Sequence, residues 1–199
     1  TIAFLEMWNA SERKVPREVD VSQYLLHYDY KAKQSGFIQP YADSPLDNEQ
    51  VGEDVYISMA NKAQRYCWFI TPYLIITDEM SHALTLAAKR GVDVRIITPG
   101  IPDKKLIFSV TRSYYASLAK SGVRIYEYAP GFIHAKQCVA DGTEAVVGTI
   151  NFDFRSLYLH FECAAYLKDV PAIDDIRRDM LDTLAQSQQV TEESLAHVP

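Results

Sequence analysis

Between Gly131 and Asp153 the chain reads GFIHAKQCVADGTEAVVGTINFD, and this stretch concentrates the residues able to do chemistry. It has the form of two strands joined by a tight turn at Asp141-Gly142, a dipeptide suited to a hairpin because glycine accepts positive φ. With side chains alternating at a period of two, His134 and Lys136 share one face of the first strand, and Thr149 and Asn151 share one face of the second. Gly148 precedes that second pair, where a missing side chain lets a ligand approach the backbone. One hairpin thus presents an imidazole, an ammonium, a hydroxyl and a carboxamide to a small volume, which makes a reactive site for an anion.

Each residue has a task if the anion is a phosphodiester. Histidine can attack phosphorus and carry the phosphoryl group, splitting one hard substitution into two easier ones. The charge of Lys136 and the donors of Thr149 and Asn151 favour the charge that builds on the non-bridging oxygens. The arrangement requires no metal and no cofactor. A nucleophilic imidazole needs its far nitrogen held, and Glu162, in the strand-like run FECAAYL, is the candidate for that orienting carboxylate.

The full spacing runs His134-x-Lys136, four residues, Asp141, six residues, Gly148-Thr149-x-Asn151. It resembles the signature of the phospholipase D superfamily, with every position filled. Within that superfamily, TPYLIITDE, VRIITPGIPDKKLIFSVTRSYY, IYEYAPGFIHAK and GTINFDFRS are together similar to the bacterial cardiolipin synthases, over most of residues 35–185. The resemblance implies an enzyme that joins two phosphatidylglycerol molecules into cardiolipin and releases glycerol, through a covalent phosphohistidine. It implies His134 as nucleophile or its acid/base partner, with Lys136 and Asn151 holding the phosphate. Asp141 matches the pattern too, but a residue at a hairpin turn can serve structure instead. The resemblance further implies work at the bacterial cell membrane, with the catalytic domain on the cytoplasmic side and this chain itself soluble.

One departure matters. The superfamily's chemistry needs two HxK motifs, one histidine attacking and the other protonating the leaving alkoxide, and this chain has one. His27, His82, His160 and His197 are not followed two residues on by lysine. Either two copies form the site across a twofold axis, or a preceding homologous half supplies it and this half alone is inactive. Residues 1–34, with an apolar opening helix around Trp8 and then a charged connector, read as the tail of such a half, followed by a catalytic domain over 35–190 and a loose polar tail over 191–199. Two rivals remain: a phosphodiesterase or nuclease of the same superfamily, and a non-catalytic half that completes another chain's site.

Composition sets the outer bounds. A chain of 199 residues, 48% hydrophobic and 23% charged, buries one good core. The net charge of −6 speaks against a nucleic-acid partner, and no run reaches the roughly 20 apolar residues of a membrane span. The three cysteines, Cys67, Cys138 and Cys163, form no CxxC pair and sit in apolar runs, as small buried hydrophobes in a reducing compartment do.

The elements that must position the hairpin follow from periodicity and punctuation. GFIQPYA is a short strand; a helix spans about 49–64; YCWFIT is a buried strand; Thr77 caps a helix that stops at Gly91. A second buried strand covers 92–98, a helix about 104–121 stops at Gly122, and a third strand covers 123–128. The hairpin, the Glu162 strand and a helix over 172–188 complete an α/β fold, a mixed β-sheet sandwiched between α-helices. Strand ends in such sheets bind ligands, which brings in Tyr73 after YCWFIT and Lys104 and Lys105 after the second strand. Those lysines, with Arg112, suit a lipid phosphate or an anionic membrane surface, or simply a solvated helix start. Tyr73, Tyr114 and Tyr115 suit an acyl or headgroup channel, or packing. Arg155 can reach the site or brace its loop.

Overall fold

The computed structural model describes residues 2–11, 21–24, 31 and 33–195. The rest of the expected connector and the end of the expected tail lie outside the described residues. Residues 1–35 form one unit and residues 36–199 another. In the first, helix α1 spans Ile2–Ser11 and stacks Phe4 on Trp8 at 6.0 Å between ring centroids, and a 3-10 turn spans Val21–Tyr24.

The second unit is built on a mixed eight-stranded sheet. Its strands are β1 Phe37–Asp43, β2 Tyr66–Ile70, β4 Asp93–Pro99, β5 Arg124–Tyr128, β6 Gln137–Ala140, β7 Glu144–Gly148, β9 Glu162–Lys168 and β10 Ser187–Gln189. Their order is β1-β9-β7-β6-β2-β4-β5-β10, and a separate parallel pair joins β3 Leu74–Ile75 to β8 Phe152–Asp153. Strands β2, β4 and β5 run parallel, and the others pair antiparallel. Helices α2 Val51–Lys62, α3 Asp78–Lys89 and α5 Tyr115–Lys120 cover one face, and α7 Ala172–Ala185 covers the other. The expected α/β sandwich is the fold observed.

The apolar runs explain the layering. In β2, Cys67 and Phe69 face α2 and α3 while Trp68 and Ile70 face α7, so the run is buried on both sides. Phe69 is fully buried, and truncating such a side chain to alanine costs about 3–5 kcal/mol. Thr77 caps α3, its hydroxyl oxygen accepting from Met80 N–H at 3.1 Å, and the same hydroxyl donates to the buried Glu53 of α2. Pro40, which has no N–H to give, lies on the edge strand β1. At the hairpin both central turn residues adopt positive φ, 54° at Asp141 and 75° at Gly142, and Thr143 N–H closes the turn on Ala140 O at 3.1 Å.

Several expectations are corrected. The helix expected over 104–121 is two, α4 Lys105–Ser113 and α5, because Tyr114 N–H bonds Thr111 O three residues back and interrupts the α-helical ladder. The last long helix ends at Ala185, and Ser187–Gln189, whose first two residues were expected within it, pairs with β5 as an edge strand. A short helix, α6 Phe154–Leu159, was not expected. Cys67 and Cys138 are buried neighbours, Sγ to Sγ 3.8 Å, but Cys163, the second residue of β9, is exposed. Among the described residues no helix is long and apolar enough to cross a membrane.

Candidate active site

The sheet's topology gathers the candidate residues at one end. Ile70, the last residue of β2, pairs with Gln137, the first of β6, so the segment before β6 crosses the edge where the parallel strands finish. His134 and Lys136 lie on that segment, just outside the strand on which they were expected. Lys136 O still accepts from Gly148 N–H at 3.2 Å, which prolongs the ladder. Thr149 follows β7, its N–H donating to Cys163 O at 2.9 Å and its hydroxyl oxygen accepting Cys163 N–H at 3.0 Å. Asn151 is held by its neighbours. Ile150 is fully buried with its carbonyl accepting the Tyr56 hydroxyl at 3.1 Å, and Phe152 is buried against Tyr56 at 4.7 Å between rings. Two inward side chains leave the residue between them facing the other way.

His134, Lys136, Thr149, Asn151 and Glu162 line one cavity of about 650 Å³. Lys136 Nζ stands 3.0 Å from His134 Nδ1 and donates to His134 O at 2.6 Å. Partial desolvation and the Lys136 charge hold the imidazole below its ordinary pKa, with Asp103 pulling the other way, so the ring is neutral and basic near pH 7. Desolvation also lowers Lys136, opposed by the carboxylates of Glu162 and Asp153. The buried Oδ1 of Asn151 has no protein partner among the described residues, an orphan acceptor that a ligand donor would satisfy. A neutral imidazole, a cation and amide and hydroxyl groups around one cavity can bind a phosphate and attack it.

Glu162 does not hold His134, as had been expected. One of its oxygens accepts the Thr149 hydroxyl, the other accepts the Ser156 hydroxyl at 2.7 Å, and His160 Nδ1 lies 3.6 Å away. Its carboxylate is committed to the loop after β7. Ser156, missed in the sequence, is the hinge of this network, since its Oγ also accepts Asn151 N–H at 2.8 Å. A signal was present: Asp153 caps α6 through Ser156 N–H at 2.9 Å, an Asp-x-x-Ser spacing. Asp103 and Phe132 were missed as well. Asp103 accepts the Tyr73 hydroxyl at 2.7 Å, and Phe132 stands between Tyr73 (6.3 Å) and His134 (5.8 Å). Burial, then the bond to Asp103, pushes the Tyr73 pKa up to about 12.

Other candidates are placed elsewhere. Asp141 sits at the opposite end of the hairpin, roughly 20 Å of extended chain from His134. Its carboxylate accepts the N–H groups of Gln64, Arg65 and Tyr66 at 2.8, 2.8 and 2.9 Å, the work of a structural cap. Gly148 borders the cavity, but the close approach it permits is that of β9, for a Cβ there would stand 2.4 Å from Ala164 Cβ and 2.5 Å from Cys163 O. Arg155 donates through Nε to His160 Nε2 at 3.0 Å and so braces the Glu162 network. Lys104 and Lys105 begin α4, exposed, on the loop that carries Asp103. Tyr115 is fully buried, hydroxyl 2.6 Å from Thr98 Oγ1, and lines no channel.

The family described as "Cardiolipin synthase, PLD-like domain" matches residues 56–184. The chain is 37% identical over 179 residues to a cardiolipin synthase of Geobacillus sp. (strain WCH70), covering 90% of this chain and 35% of that protein. It is 36% identical over 168 residues to cardiolipin synthase 2 of Bacillus anthracis, covering 84% and 33%. An uncharacterised protein of Streptococcus mutans is 49% identical over 195 residues, covering 98% and 41%. The chain therefore spans about a third to two-fifths of the relatives it matches. Among solved structures, the phospholipase D family member Nuc from Salmonella typhimurium superposes with a TM-score of 0.67 at 19% identity, covering 79% of this chain and 100% of that one. The phosphatidylserine synthase of Haemophilus influenzae gives 0.63 at 16%, covering 81% and 41%; at such identities the likeness is one of fold. The chain belongs to the phospholipase D-like domain family of the cardiolipin synthases.

Proposed function

We propose that this chain carries one half of a phosphatidyltransferase site that forms cardiolipin from two phosphatidylglycerol molecules and releases glycerol. The observation that carries the reading is the convergence of His134, Lys136, Thr149 and Asn151 on one cavity, in a domain of this family. A ring nitrogen of His134 forms a bond to phosphorus as the bond from phosphorus to the glycerol oxygen breaks. The departing alkoxide takes a proton from an acid, and the hydroxyl of a second phosphatidylglycerol then displaces the histidine and returns a proton. Lys136, drawn from Nδ1 to the phosphate, neutralises the non-bridging oxygens and frees Nδ1 to carry the ring proton while Nε2 attacks. Among the described residues no carboxylate is hydrogen-bonded to His134, and no second HxK is present. We therefore assign the ring's orienting partner and the acid to a second half-site, from the remaining length of the protein or from a second copy.

The test uses phosphatidylglycerol in mixed micelles, with cardiolipin and phosphatidic acid read by mass spectrometry. The protein extended to the length of its relatives is expected to make cardiolipin, and His134→Ala to make neither product. Turnover near the parent rate in His134→Ala removes the nucleophile assignment, and phosphatidic acid without cardiolipin makes the enzyme a hydrolase.

A further inference from the structure

The loop between β4 and α4 carries a surface that the chemistry at His134 does not use. It is anchored at two points: Gly100 N–H donates to Tyr128 O at 2.9 Å, and Asp103 accepts the Tyr73 hydroxyl at 2.7 Å. From this held loop and the first turn of α4 two aliphatic side chains project outward, Ile101 on the loop at 48% and Leu106 on the helix at 75% exposure. Lys104 and Lys105 lie between them, exposed, and neither forms an ion pair among the described residues. Cations at the start of a helix face the positive end of its dipole, so their place does not serve α4. Through Tyr73 and Phe132 the loop adjoins His134.

Aliphatic tips beside unpaired lysines, next to a phosphate-binding cavity, match one partner better than others. A polyanion in water would use the lysines and gain nothing from Ile101 and Leu106. An anionic bilayer uses both, its headgroups meeting the charges while the aliphatic groups enter the interface. We propose that Ile101, Lys104, Lys105 and Leu106 form a docking surface for an anionic phospholipid bilayer, seated so that a headgroup reaches His134. The proposal deepens the phospholipid reading above, but its test needs no turnover.

Flotation of this chain with vesicles of phosphatidylglycerol in phosphatidylcholine, and with pure phosphatidylcholine, reads it directly. The parent chain is expected to float with the anionic vesicles, less so as salt is added. Lys104→Ala/Lys105→Ala weakens that partition roughly thirtyfold, and Leu106→Asp roughly tenfold, both with parent Tm because the side chains are exposed. His134→Ala floats like the parent, which separates docking from chemistry. Absence of parent binding, or parent-like binding by either loop variant, overturns the proposal. So does Leu106→Asp changing the oligomeric state by light scattering while vesicle binding stays intact, which would make the loop a protein interface.

Discussion

Asp141 belongs to the family's spacing pattern, yet its position makes it a stabilising residue, and the two roles predict different variants. Its carboxylate ties the start of β2 to the β6–β7 turn through three backbone N–H groups, those of Gln64, Arg65 and Tyr66. Bonds to a charged acceptor contribute about 1.5–3 kcal/mol each when lost without replacement. This turn is only half-buried, so water recovers much of that, and Asp141→Ala is expected to cost about 3 kcal/mol. At about 2–4 °C per kcal/mol for a chain of this size, Tm falls about 10 °C. Asp141→Asn keeps the left-handed backbone and one acceptor oxygen, and falls roughly a third as far. The pH dependence has a definite sign. Desolvation raises the carboxyl, but the three N–H groups and the Arg65 charge outweigh it and hold Asp141 below the ordinary carboxylate range. Its stabilisation is therefore complete above the unfolded pKa near 4 and is lost as pH falls through the lower folded value. Differential scanning fluorimetry from pH 7 to pH 3 should show the parent and Asp141→Ala curves converging at the acid end. Phosphodiester turnover of Asp141→Ala, assayed well below its Tm, should stay within twofold of the parent. An unchanged Tm together with lost turnover would refute this account and return Asp141 to the chemistry.

Three further predictions test the site's construction. In Lys136→Met the imidazole pKa of His134, followed by NMR, moves up because an adjacent positive charge is gone, whereas Asp103→Asn moves it down; the opposite signs would show that neither charge acts on the ring. Ser156→Ala removes the link between Asn151 N–H and Glu162, with an expected loss of about 2 kcal/mol in stability and about tenfold in turnover; parent turnover would show that Ser156 does not position Asn151. Gly148→Ala forces a Cβ against β9 and costs about 2 kcal/mol by thermal unfolding, while Gly131→Ala, with nothing within 4 Å of the added carbon, leaves Tm unchanged. Equal effects at the two glycines would remove the packing explanation.

Where a feature depends on neighbours along the chain, it was legible. The cap at Thr77 and the stop at Gly91, whose φ is 91°, follow from the chemistry of single residues at helix ends. The buried strands follow from runs such as YCWFI, which no surface element would carry. Where pairing partners decide, the residues were silent. Ser187–Gln189 has no apolar period and becomes a strand only because β5 offers it an edge. The two-residue pair of Leu74–Ile75 with Phe152–Asp153 is too short to leave a pattern.

The candidate site divides along the same line. The resemblance to the phospholipase D superfamily and the grouping of His134, Lys136, Thr149 and Asn151, to which the proposed nucleophile and cation belong, were legible in their spacing, because extended backbone places alternate side chains together whatever the rest of the chain does. That Asp141 and Glu162 turn to structural partners was decided by tertiary structure alone. The antiparallel pairing of β6 with β2 sends Asp141 to the far end of the sheet, and the fold of α6 brings Ser156 to Glu162, whose two oxygens accept from Ser156 and Thr149. A carboxylate accepts from whichever donors the fold brings within about 3 Å, and sequence spacing does not contain that distance.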